Sequence, residues 1–411
     1  MEPADALVEA CESLARDQGI SARAAVLLGE EILGAKDALR RLGLVPAAAG
    51  ERTIVVLGWQ HNLLAELDAA RVPLEAVVVI GTPAASQAAL TRGLFDRGLL
   101  RVSASAYVPS SLVNDPHSIG AGAQSVVAMS NLGHNAGFAN QLFQYAFLRL
   151  YGLRNGAAVE APSWVGEEVY GIPHRSITRT LPMVKGDEWS VRDLAFWIQK
   201  RPRVDVEFWG YFQNPPPVWR LHRDFLRRLF SPLPAWREPV RQWLEKYRPP
   251  GTTMVAIHVR RGDYVRLAAE KPWFRPIPAA WYLRWLAQIW PTLANPVLFV
   301  ATDDRASVLP AFAAYHPLDA SEAEAQLPEP RFLADFEILA QSDVLAACNS
   351  SFSHMAALLA APTQSAFIAS PTAESFEAWD PWATDDFWRR FGAPTARRRS
   401  LLPRFLRRTQ A

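Results

Sequence analysis

Cysteine is nearly absent. Only Cys11 and Cys348 occur in 411 residues, far apart and outside any CxxC or Cys/His spacing. That excludes a disulfide framework and a thiolate zinc site, and it fits a reducing compartment. Charge of one sign is missing too: 43 Lys and Arg stand against 41 Asp and Glu, a net charge of +2, so nucleic acid is not expected as a partner. No apolar run reaches the roughly 20 residues of a membrane helix. The start Met1-Glu2-Pro3-Ala4-Asp5 lacks the basic and then apolar pattern of a secretion signal. A cytoplasmic protein without a membrane span is the expectation.

Half of the residues are hydrophobic and 20% are charged, enough apolar material for several packed cores. At about 100 to 200 residues per domain the chain should hold two or three. Residues 1 to about 45 read as helical, with Leu7, Ala10, Cys11, Leu14, Ala25, Leu28, Ile32 and Leu39 at helix spacing. The runs Thr53 to Leu57 and Ala76 to Ile80, separated by the helical Asn62 to Ala70, read as a βαβ unit in a small parallel sheet. Pro109, Asn114-Asp115-Pro116 and Gly120-Ala121-Gly122 crowd turn residues into a short stretch, which predicts a linker and a separable N-terminal unit. A second α/β pattern follows: strand Val126 to Met129, helix Gln141 to Tyr151, strand Ala157 to Glu160. Residues 202–250 read as mostly helical or irregular. From Gly251 onward the alternation is plainest: strands Met254 to Val259, Val297 to Ala301, Val344 to Cys348 and Ala366 to Ile368 alternate with helices Pro278 to Trp290, Asp335 to Ser342 and Phe352 to Leu359. Strands apolar on both faces belong in a parallel sheet covered by helices. The expected division is 1–120, 121–250, 251–375 and a C-terminal extension 376–411.

Three segments carry candidate chemistry. His258-Val259-Arg260-Arg261-Gly262-Asp263-Tyr264 follows a buried strand, and ligands of open α/β sheets sit beyond the carboxyl ends of strands. Two adjacent arginines there match a diphosphate in fork geometry; ion pairs along an ordinary strand edge account for them equally well. Asn349-Ser350-Ser351-Phe352-Ser353 opens a helix, where free N–H groups either receive serine caps or bind an anion. Gly137-Phe138-Ala139-Asn140-Gln141-Leu142-Phe143-Gln144-Tyr145 starts another helix, with Asn140 as a plain cap in the simplest reading.

Together and in this order, the three segments resemble the α1,2-fucosyltransferases of bacterial type, glycosyltransferase family 11. Trp209-Gly210-Tyr211-Phe212-Gln213, Thr302-Asp303-Asp304 and Asp335-Phe336 extend the correspondence over about Val126 to Ile368. The resemblance implies an α/β fold with a GT-B-like pair of Rossmann-type domains, preceded here by a small extra α/β domain. It implies a GDP-sugar donor, GDP-fucose first, and a glycan acceptor, lipid-linked in one reading. By it His258, Arg260 and Arg261 contact the diphosphate, Asn349, Ser350, Ser351 and Phe352 close around phosphate or nucleotide, Asp303 reaches the nucleotide, and Asn140 and Gln141 face the cleft. Two departures stand out. Ala139 replaces a glycine, and His354-Met355 replaces an aromatic pair.

Inverting transfer builds charge on the leaving diphosphate, which arginines such as Arg261 and helix N–H groups stabilise. Asp303-Asp304 and Asp385-Asp386 are simple pairs rather than a metal-binding DxD, so no metal cofactor is expected. Asp263 is the first candidate for the general base and His258 the second; Asp263 serves equally well as an orienting partner of the arginines. The alternatives are another nucleotide sugar, or an inactive nucleotide- or glycan-binding protein. The tail from Ala396 to Arg408 alternates basic residues with Leu and Phe, a pattern that suits peripheral contact with the anionic inner membrane, a disordered basic tail or a clamp on the protein's own acidic surface.

Overall fold

The computed structural model describes residues 3–18, 20, 24–28, 42, 44–46, 53–58, 63–70, 74–80, 84–103, 105–120, 123–134, 137–173, 175–185, 202–213, 215, 217–383 and 387–392. The basic tail, and the helical reading of Ile32 and Leu39, lie outside them.

Fifteen described strands form three sheets. The first contains β1 (Ala24–Leu28), β2 (Val45–Pro46), β3 (Thr53–Gly58), β4 (Leu74–Ile80), β5 (Leu99–Arg101) and β6 (Ala106–Pro109), in the order β2-β1-β3-β4-β6-β5. β1 to β4 run parallel, and β6 is antiparallel to β4. The βαβ expectation over residues 53–80 holds, with helix Leu63–Ala70 between the strands. β4 shows why its sequence is apolar throughout. Ala76 and Val78 pack with Leu7, Ala10 and Leu14 of helix Pro3–Gln18, while Val77 and Val79 pack with Leu67, Leu90 and Leu94 on the opposite face. The helical reading of residues 1–45 is corrected at Ala25 and Leu28, which lie in β1. A five-residue apolar run fits helix or strand, and here hydrogen bonding to β3 decides.

The second sheet holds β7 (Ser125–Ala128), β8 (Ala157–Glu160), β9 (Met183–Lys185) and β10 (Val206–Trp209), all parallel, in the order β8-β7-β10-β9. The third holds β11 (Thr253–Val259), β12 (Pro296–Thr302), β13 (Val344–Ala347), β14 (Ser365–Ser370) and β15 (Ser375–Ala378), in the order β12-β11-β13-β14-β15, with β15 alone antiparallel. The expected pair of Rossmann-type units is therefore present, behind an extra α/β unit. β9, β10 and β15 are additions to the sequence reading. In each Rossmann-type unit the first strand has neighbours reached by crossovers in opposite directions, which creates a switch point between β7 and β10 and another between β11 and β13. Loops leaving such a point diverge and open a crevice.

The stretch 109–120 is packed rather than loose, contrary to the linker reading; Ala121 and Gly122 lie outside the described residues. Val113, Ile119 and Ser110 are buried. Arg149, itself buried, donates to the carbonyls of Pro116 and Ile119 at 2.6 and 2.7 Å, and Arg228 donates to that of Ser110. Asn114 bonds to Gln18, and Arg154 forms a fork with Asp96 at 2.8 Å on both arms. One apolar cluster runs from Leu7 through Val113 and Leu142 to Leu358. Turn-forming composition reports local bends and is silent about distant donors that capture the loop's carbonyls.

A chain beginning at Gly120 is therefore expected to lose solubility, because removal of residues 1–119 uncovers this shared cluster. Soluble yield and near-ultraviolet circular dichroism measure it. A soluble truncated chain with native-like aromatic dichroism contradicts the packing described.

Candidate functional site

The two switch points face one another across a cavity of about 910 Å³. From the third sheet, His258, Arg260, Asp263 and Tyr264 enter from the end of β11 and the segment after it, Thr302, Asp303 and Arg305 likewise from β12, and Ser350, Ser351 and Phe352 after β13. The second sheet contributes Phe138, Ala139 and Asn140 after β7, and Tyr211 and Gln213 after β10. Asn140 accepts a hydrogen bond from Gln213, which ties the two loops together.

Strand β11 is buried almost throughout and ends at Val259, just before Arg260. The Arg260 guanidinium donates to Asp263 at 2.6 Å and pairs with Asp303 at 2.7 Å, over the Tyr264 ring at 5.6 Å. Asp303 also accepts the backbone N–H of Arg261 at 2.8 Å. A Cβ on Gly262 would meet the Asp303 carboxylate, so a side chain here would push that carboxylate off Arg260. Tyr264 donates to the carbonyl of Asn349 at 2.9 Å, joining the β11 loop to the β13 loop.

After β13, Ser350 caps helix Ser351–Leu359 by accepting the N–H of Phe352. The capping expectation is thus met, and the helix start also lines the cavity, its N–H groups and dipole favouring negative charge. An aromatic wall continues from it. Phe352 lies 5.2 Å from Phe336, and Phe138 lies 5.3 Å from Phe332 and 5.2 Å from Phe336. Phe332 is 43% exposed although large and apolar, which is economical only where something covers it.

Beside this wall Arg305 donates to Glu324 through both terminal nitrogens and leaves only a 3.8 Å contact to Asp335. Asp335 is buried and lines the cavity, and its Oδ1 has no hydrogen-bond partner. Burial pushes its carboxyl well above the ordinary carboxylate range, against a smaller opposing pull from Arg305. His258 is buried as well, and burial, then the nearby Arg260 cation, lower its imidazole to about 3. A ring so weakly basic stays neutral and is a poor general base.

Of the sequence candidates, His258, Arg260, Asp263, Asp303, Asn140, Ser350, Ser351 and Phe352 meet at the cavity. Arg261, Gln141 and Asn349 do not line it. Adjacent residues leaving a strand point to opposite sides, and Arg260 has the cavity side. Asn349 instead donates to the carbonyls of Trp273 and Arg275 at 2.7 and 2.9 Å, fastening that loop. Asp335, Arg305 and Glu324 were missed as site residues. The available signal was an acidic pair, Asp335 and Glu337, inside an otherwise apolar helix. The two departures from the family pattern fall away from any strain: Ala139 lies in helix Phe138–Asn155 without a positive φ, and His354 is buried, stacked on Phe387 at 4.4 Å.

No protein-family model and no curated protein matches the chain. Among solved structures it is similar to the fucosyltransferase NodZ from Bradyrhizobium (14% identity, TM-score 0.40, covering 63% of this chain and 99% of that one). It is also similar to Arabidopsis thaliana FUT1 in complex with GDP (13%, 0.42, 62% and 73%) and POFUT1 in complex with GDP (11%, 0.38, 62% and 98%). Likeness at this distance assigns no activity.

Gly262→Ala is expected to displace the Asp303 carboxylate and to cost no more than about 1 kcal/mol, the scale of its partly exposed ion pair with Arg260. Urea denaturation measures it, and a loss of several kcal/mol contradicts a carboxylate that can be displaced.

Proposed function

We propose that the chain is an inverting, metal-independent glycosyltransferase that moves a sugar, fucose in the first instance, from a GDP-sugar to a glycan hydroxyl. The observation that supports this best is the convergence, in one cleft between two switch points, of Arg260, a helix start and the Asp335 carboxyl, whose Oδ1 has no hydrogen-bond partner, beside an aromatic wall. The cleft's volume suits a nucleotide sugar. Arg260 and the start of helix Ser351–Leu359 are the anion end. Asp335 with Phe332 and Phe352 is the base end, because one carboxylate accepts both the N1–H and the N2–H of guanine, a pair that uracil lacks. The sugar then lies toward Asn140 and Gln213.

In this reading the acceptor hydroxyl attacks the anomeric carbon from the face opposite GDP, and charge collects on the leaving diphosphate. Arg260 has five N–H donors, so phosphate oxygens engage those not held by Asp263 and Asp303. Catalysis is mainly electrostatic stabilisation of the departing GDP. The contact with Arg260 favours the positioning role for Asp263 over the base role. The two carboxylates nearest the diphosphate end are engaged by a guanidinium, which favours metal-independent chemistry. Fucose as the donor sugar, the α1,2 linkage and a place in surface polysaccharide synthesis rest on the order of the sequence motifs. A lipid-linked acceptor, reached from the cytoplasmic face with the basic tail on the anionic inner membrane, completes the proposal.

Transfer from GDP-fucose is expected in EDTA, with Arg260→Ala lowering kcat about 100- to 1000-fold and Arg261→Ala much less. Equal losses, or activity restored only by added metal, contradict the proposal. The Asp335 carboxyl, raised in the free protein, is expected to ionise against guanine, so its bound pKa lies below its free one. GDP binding then releases a proton, and affinity rises with pH between those two values before levelling. Calorimetry in two buffers of different ionisation enthalpy measures the release. Asp335→Asn should abolish it and weaken GDP binding about 10- to 100-fold; pH-independent binding contradicts the assignment.

A further inference from the structure

We propose that Cys348 is a positioning residue that holds His258 in its Nε2–H tautomer, so that the imidazole offers a neutral hydrogen-bond donor to the diphosphate. The role at the diphosphate rests on the function proposed above; the tautomer does not.

Cys348 stands at the carboxyl end of β13, beside β11, where His258 lies. Its Sγ is 3.3 Å from His258 Nδ1, with both residues buried. A protonated thiol has one S–H to donate. The nearest acceptor is Nδ1; the alternative, Ser353 Oγ, is at 4.0 Å. The thiol keeps its proton, since burial pushes it up to about 12, and the ring stays neutral. With Nδ1 accepting, the one ring proton sits on Nε2. No described residue takes that proton, and the ring lines the cavity next to Arg260. The ring cannot turn freely. Phe352 packs 5.3 Å from it, and the residue is buried. The opposite tautomer would aim a lone pair at an anion, which is repulsive. A partner on the far nitrogen is how proteins commonly choose the tautomer of a functional histidine.

The test uses the full chain. Nitrogen-15 NMR of histidine-labelled protein without nucleotide, with His258 assigned by comparison with His258→Gln, should show Nδ1 as the pyridine-type and Nε2 as the pyrrole-type nitrogen. The reverse pattern overturns the proposal whatever the protein does. Cys348→Val fills the space without an S–H, and Cys348→Ser restores a donor. Cys348→Val is expected to mix the tautomers and to lower kcat with GDP-fucose about 10- to 100-fold, the usual effect of removing such a partner. Cys348→Ser should recover most of both. Equal loss in Val and Ser variants with the tautomer unchanged means packing alone and overturns the proposal. So does a fully active Val variant. Should either variant fail to fold, the wild-type spectrum decides. Failure of the wild type to bind GDP refutes the proposed function and leaves the ring's tautomer to the spectrum.

Discussion

A guanidinium held between two carboxylates organises this molecule's cleft. Arg260 is gripped by Asp263 from its own loop and by Asp303 from the end of the neighbouring strand β12. These groups are partly exposed, so each pair adds only about 0–1 kcal/mol to stability. Their value is positional. Asp303 must pass close over Gly262 to reach Arg260, and its other oxygen takes the Arg261 N–H. The same loop fixes Tyr264, whose hydroxyl reaches the β13 loop. Strand ends from three strands are thereby locked into one surface.

The opposite wall depends on apolar contact instead. Phe138, at the start of the helix after β7, packs among Phe332, Phe336 and Phe352. Helix Phe138–Asn155 is buried along nearly its whole length, and its Phe143 reaches His354 at 5.1 Å. The two Rossmann-type units therefore share a core below the cleft, while the cleft itself keeps the polar and unpartnered groups. Among the described residues no helix is long and apolar enough to cross a membrane.

Much of this was legible in sequence for identifiable reasons. β11 and β13 are continuous apolar runs that only a covered parallel sheet accommodates, and the motifs after them had to emerge at its carboxyl edge. That brought His258, Arg260 and Ser350 to Phe352 to one place. Which of two adjacent arginines faces the ligand was not legible, because a period of two does not say which side of the strand end opens on the crevice. Asn349 was misplaced because its partners, the carbonyls of Trp273 and Arg275, belong to a loop with no pattern. Asp335 looked like a helix start; its isolation follows from Arg305 being taken by Glu324, a contact between side chains 19 residues apart. The seam at 109–120 read as a linker because glycine and proline advertise turns, while the arginines that hold it come from helices far along the chain.

Soaking or co-crystallising the protein with GDP tests the central claim most directly. The β-phosphate is expected within hydrogen-bonding distance of Arg260, about 2.7–2.9 Å for a charged pair, at the start of helix Ser351–Leu359, with guanine on Asp335 against the wall of Phe332 and Phe352. GDP bound elsewhere, with no phosphate oxygen on Arg260 and the cleft free of nucleotide, contradicts it.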